Sequence, residues 1–294
     1  MAETKATKGT TKKKTATKKK KTSSKIKAPK FAVALDKKFS KFKIKHWYYL
    51  TGPLALVSLV LFDVLGGLNF PDYNWFTDAP KKILAGDSNS FVIGLIFILL
   101  YLILALFSAF CIYRFFKSKR VNKLMKRGLL ILMIGIFVTV LSMCIFNTQN
   151  ASTQNGIISA AQIVTKTENV QSDDGESSET KTVVDEDATS KNEERFSELM
   201  SQPDVLANGI TASVATLLCL AAYVLIALGG FKKRGILFMG CIAIASGIFL
   251  LFGLIAPSFL GSDIFGINSR FAFYCDGLFL ALASSYIYVT FKEK

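Results

Sequence analysis

Two carboxylates stand inside otherwise apolar stretches of this 294-residue chain, Asp63 in "SLVLFDVLGG" and Asp276 in "RFAFYCDGLFLALASS". An ionisable side chain in hydrocarbon surroundings is costly, and where one is kept it marks an ion pathway, a proton relay or a buried pair. Counted along a helix, Asp63 lies about 24 Å beyond Trp47 and Asp276 about 8 Å beyond Phe271, so both are expected in the third of a span nearest one interface. There they border a cation pathway, or else they are partly hydrated or paired with Arg270, Lys81 or Lys82.

The other reactive side chains point away from catalysis. Cys111, Cys144, Cys219, Cys241 and Cys275 all fall in apolar stretches, where a cysteine serves by default as a small buried hydrophobe. Cys144 and Cys275 sit toward the same end of their helices, at a depth that would allow them to pair. No two cysteines have metal-ligand spacing, and His46 is the single histidine. There is no G-x-x-x-x-G-K-[ST], H-E-x-x-H or G-x-S-x-G motif. The expectation is a chain that is not an enzyme and has no cofactor and no metal.

A second chemistry is spread along the N-terminus. Residues 1–46 hold 17 lysines against Glu3 and Asp36, which accounts for the whole net charge of +15. Residues 1–30, with Lys12, Lys13, Lys14, Lys18, Lys19, Lys20 and Lys21 in two runs, contain almost nothing apolar and are expected to be disordered. In residues 31–46, Phe31, Leu35, Phe39 and Phe42 form one helical stripe among Lys37, Lys38, Lys41, Lys43 and Lys45. This is the pattern of a basic amphipathic segment lying in lipid headgroups. Each lysine held near an anionic surface contributes about 1 kcal/mol. The distal lysines are free to reach nucleic acid or an acidic protein without sequence readout. Surplus charge that merely fixes topology is the simpler alternative.

The elements that must position these groups are six apolar stretches at about 47–68, 91–113, 128–146, 209–231, 235–257 and 271–291. Each is close to the roughly 20 residues needed to cross a bilayer as a helix. The fold expected is an all-α integral membrane protein, a six-helix transmembrane bundle with a disordered polybasic tail and an acidic, disordered extracytoplasmic loop. Spans one to three occupy 47–146, the loop 147–208, spans four to six 209–291, and a short C-terminus 292–294.

Lysine and arginine clusters at the tail, at Arg114–Arg127, at 232–234 and at the C-terminus all fall on one side, so both termini are expected in the cytosol of a plasma-membrane protein. The first span, starting some 46 residues in and lacking a small-residue cleavage site, reads as a signal anchor. The loop holds twelve acids against four bases. Its segment "NEERFSELMSQPDV" suits a short helix ending before Pro203, and Asn150-Ala-Ser152 fits a glycosylation sequon. Trp47, Tyr48, Tyr49, Tyr286, Tyr288 and Phe291 are placed for an interfacial belt. Gly277, Ala281 and Ser285, and Ala243 with Gly247, are placed for close helix contacts. "KRGLLILM" at 126 and "KRGILFMG" at 233 open two hairpins alike, through duplication or through shared turn chemistry.

Two functions fit this pattern. One is a scaffold or tether whose polybasic tail engages anionic lipid or another polyanion, and the other is a small transporter or channel subunit using the two carboxylates.

Overall fold

The computed structural model of the chain describes residues 45–85, 90–119, 121–145, 165–171, 178–184, 186–232, 236–260 and 264–291. The readings of residues 1–44, of the sequon and of 156–164 lie outside the described residues. A 3-10 turn, His46–Leu50, leads into α1 (Thr51–Leu68), and a second, Pro80–Leu84, precedes α2 (Phe91–Ser118). Then come α3 (Lys123–Ile145), a ribbon of β1 (Thr165–Gln171) and β2 (Ser178–Val184), and α4 (Glu186–Ser201). Three long helices complete the order, α5 (Pro203–Gly230), α6 (Leu237–Leu260) and α7 (Phe265–Thr290).

Six helices, α1 with its leading turn, α2, α3, α5, α6 and α7, are long and apolar enough to cross a membrane. Several run past the apolar stretches that announce them. α2 continues through Arg114 and Lys117, and α3 starts at Lys123, because arginine and lysine are good helix formers whose long stems follow apolar surface while the charge reaches water. α7 begins six residues before Phe271, so Asp276 lies eleven residues into it, about 16 Å from its start. That places Asp276 near the middle of the helix.

The spans form a closed ring: α1 packs on α2 and α7, α7 on α6, α6 on α5, α5 on α3, and α3 on α2. Apolar side chains also cover the outside, where Val57, Ile103, Leu217, Ile248 and Leu282 are exposed, as expected of a surface that faces lipid. Inside, Leu59, Ile98, Leu132, Tyr223 and Phe279 belong to one continuous core. Close approach of α3 to α5 requires glycine. A Cβ on Gly128 would stand 2.9 Å from the Ala222 carbonyl oxygen, and one on Gly135 would stand 2.7 Å from Cys219 Sγ.

Where the described chain enters and leaves, aromatic rings pack on one another. His46 stacks on Tyr288 at 4.3 Å and Phe115 meets Phe291 at 4.8 Å. Of the rings expected in a belt, Trp47 is exposed but Tyr49 is buried, so the group is partly core. All five cysteines are free, including Cys144 and Cys275. The first "KRG" sequence lies within α3, and the second, 233–235, lies outside the described residues.

The acidic loop departs from the expectation of disorder. Thr165–Gln171 pairs antiparallel with Ser178–Val184, in a register that sets Glu168 opposite Lys181. Thr165 and Thr167 in one strand and Thr180 and Thr182 in the other, with Val170, Val183 and Val184, provide strand propensity. α4 ends at Ser201 and Pro203 opens α5, where its missing N–H costs nothing.

Candidate functional site

Arg270, one turn into α7, organises the end of the bundle that carries the α1–α2 connection. Its Nε donates to Asp63 Oδ2 at 2.8 Å and its Nη2 to Asp63 Oδ1 at 3.1 Å, a two-pronged pair. Nη1 donates to the carbonyls of Trp75 and Gly266, each at 2.7 Å, and Nη2 also to the Tyr73 hydroxyl at 2.9 Å. Tyr274 donates to Asp63 Oδ2 at 2.8 Å. The guanidinium also lies over the rings of Trp75 and Tyr73, at 5.0 and 5.8 Å. Burial pushes the Tyr73 phenol above its ordinary pKa against the opposing pull of Arg270, so it stays a neutral donor and acceptor. Asp63 is thus fully engaged in tying α1, α7 and residues 73–78 together.

The Pro80–Leu84 turn tucks into the same end, with Ile83 and Leu84 fully buried and the Ile83 carbonyl accepting from Ser90 Oγ at 3.1 Å. Lys82 pairs with Asp78 at 2.8 Å. Lys81 has no acid partner among the described residues. Its Nζ donates to Asn208 Oδ1 at 2.6 Å, and Ser142 donates to that same oxygen at 3.2 Å. Burial lowers the Lys81 pKa from 10.5 to about 8.

Asp276 has a different environment. It is 8 % exposed and meets only neutral groups: Tyr223 donates its hydroxyl to Oδ1 in a short hydrogen bond, Cys219 Sγ approaches Oδ2 at 3.5 Å and Cys275 Sγ approaches Oδ1 at 3.7 Å. Cys219 and Tyr223, four residues apart, share one face of α5, and the glycine contact at Gly135 allows α3 to lie against that face. The carboxylate borders a cavity of about 160 Å³ to which all six spans contribute side chains, among them Tyr101, Thr139, Thr216 and Phe273. Among the described residues no cation pairs with Asp276. An ionised carboxylate held this way lacks the compensation that buried charges need, which a proton or an entering cation would supply.

The structure therefore separates the two acids that the sequence grouped. Asp63 takes one of the partners foreseen for it, Arg270, while Lys81 and Lys82 are committed elsewhere. Tyr223, Cys219 and Tyr101 were not foreseen. The one signal for the first two was their i, i+4 spacing in an uncharged helix, which any apolar span shows. The tail lysines 12–43 lie outside the described residues, and Lys45 immediately precedes the first turn. Among the described residues no group of histidine, cysteine and acid side chains is arranged to hold a metal. No family model, no curated protein and no solved structure matches this chain, so its function has to be argued from the chain itself.

Proposed function

We propose that this is a non-enzymatic membrane protein, a scaffold or tether in which the six-helix bundle anchors a polybasic arm that engages anionic lipid or another polyanion at the cytosolic face. The observation that carries this reading is the charge distribution: 17 lysines and two acids in the first 46 residues, and balanced charge in all that follows. Two features of the bundle support it. Asp63 is neutralised within the fold, and the loop end is filled by the buried turn at Pro80–Leu84, so the bundle behaves as an anchor at that end. Orientation with both termini in the cytosol, at the plasma membrane, belongs to the same proposal and rests on the lysine and arginine clusters.

The test is capture of anionic vesicles, neutral vesicles and duplex DNA by the full chain in neutral nanodiscs, across a salt series. We expect anionic vesicles to be retained at low salt, with retention falling as salt rises, and deletion of residues 1–30 to reduce it at least tenfold while the bundle still inserts. Equal capture with and without residues 1–30 sinks the reading. A preference for DNA redirects it to a membrane–nucleic acid tether.

One observation favours a second reading, a small transporter or channel subunit: the cavity at mid-depth with an unpaired carboxylate. Only Asp276 serves that reading now, since Asp63 is locked.

A further inference from the structure

The mid-bundle cavity has an acidic corner, two threonines in its wall, Thr139 and Thr216, and apolar side chains over most of the rest. At the corner are Asp276 and Tyr101, a residue 4 % exposed whose hydroxyl has no hydrogen-bond partner among the described residues. The Tyr101 ring reaches within 3.8 Å of the position a Cβ on Gly277 would take, beside Asp276. A hydroxyl that lines the cavity has hydrogen-bonding capacity to spare, and a buried carboxylate with no cation among the described residues lacks compensation for its charge. Both deficits face the same space. A ligand that brings positive charge and N–H donors to that corner satisfies both at once.

The rest of the cavity defines the rest of the ligand. Leu59, Ile136, Leu250 and Phe273 offer aliphatic and aromatic surface and no hydrogen bonds. A volume of about 160 Å³ is close to the roughly 150 Å³ of a core cavity that takes up benzene, so the occupant is a molecule of that size. A hard divalent cation is a poor match, because it requires about six oxygen ligands and the walls provide few. An ammonium group needs two or three acceptors, and the faces of Tyr101 and Phe273 add cation–π attraction.

We propose that the cavity is a binding site for a small protonated amine with a compact apolar body, its ammonium held by Asp276 and Tyr101. The site is independent of the polybasic arm and stands whether or not the chain moves a solute.

The probes are benzylamine and its neutral isostere benzyl alcohol, added to the full chain in nanodiscs, with thermal shift and calorimetric titration as readouts. The expected result is that benzylamine binds and raises Tm, with at least tenfold preference over benzyl alcohol. Tyr101→Phe weakens benzylamine severalfold, and Asp276→Asn removes the preference. Val140→Phe, which keeps the carboxylate and fills the cavity from α3, abolishes binding of both probes. It carries the decision should Asp276→Asn fail to fold. The proposal is overturned if neither probe binds, if the amine and the alcohol bind equally, or if amine binding survives Val140→Phe. Because residues 1–30 play no part in it, this failure is separable from failure of the tether reading.

Discussion

Asp63 and Asp276 are the same residue type on adjoining helices, α1 and α7, yet one is held by a guanidinium, a phenol and nearby carbonyls, and the other only by a phenol and two thiols. At the first site the carboxylate accepts from both prongs of Arg270 and from Tyr274. The second borders open space and lacks a cation. A paired and an unpaired acid differ here in the completeness of the neighbourhood, not in the acid.

Removing the guanidinium tests the closed site with the largest expected effect. Arg270→Met leaves Asp63 buried and unpaired, and should cost about 3–5 kcal/mol of stability in detergent unfolding. The double variant with Asp63→Leu should recover a substantial part, because removing both charges leaves no orphan. If Arg270→Met is benign, the two acids are not distinct in the way described.

Lys81 provides an intermediate case, a half-buried cation with no acid partner among the described residues. Its proton is held less tightly in the folded chain, at about 8, than in the unfolded one, at 10.5. Between those values the unfolded state carries more protons, so this group makes stability rise with pH from about 8 to 10.5, and below pH 8 the full burial cost stands. Lys81→Met should stabilise the protein by about 1–2 kcal/mol at pH 7 and flatten that slope. A variant with an unchanged pH profile would show that Lys81 is hydrated.

The smallest effect is expected at the open site. Asp276→Asn retains an acceptor for Tyr223 and removes an uncompensated charge, so stability should stay within about 1 kcal/mol of the parent or increase. A loss comparable to that of Arg270→Met would make Asp276 a structural residue and collapse the comparison.

Much of the architecture was legible in the residues. Run length without charge located the six spans, since hydrocarbon tolerates only a backbone that satisfies its own hydrogen bonds. The pairing of Asp63 with Arg270 was among the partners that depth alone allowed. The start of α7 was placed too late because its first turns, "FGINSR", contain polar residues that resemble a loop, although Gly266 and Ser269 lie in a helix whose N-terminal turn bonds to the α1–α2 connection. The β1–β2 ribbon was missed because low hydrophobicity and high charge masked threonines at every second position, Thr165 and Thr167 in one strand and Thr180 and Thr182 in the other.

The sequence by itself determined that this chain has six helices long and apolar enough to cross a membrane and carries its charge excess on one arm, because hydrophobic run length and net charge are additive along the chain. Which acid is neutralised and which faces a cavity was decided only by the tertiary structure. Tyr101, Cys219, Tyr223 and Asp276 come from three helices far apart in sequence, and only ring closure through close contacts such as Gly135 on Cys219 brings them to one point. Local residue types cannot encode that convergence, since it depends on the rotation and depth of every helix at once.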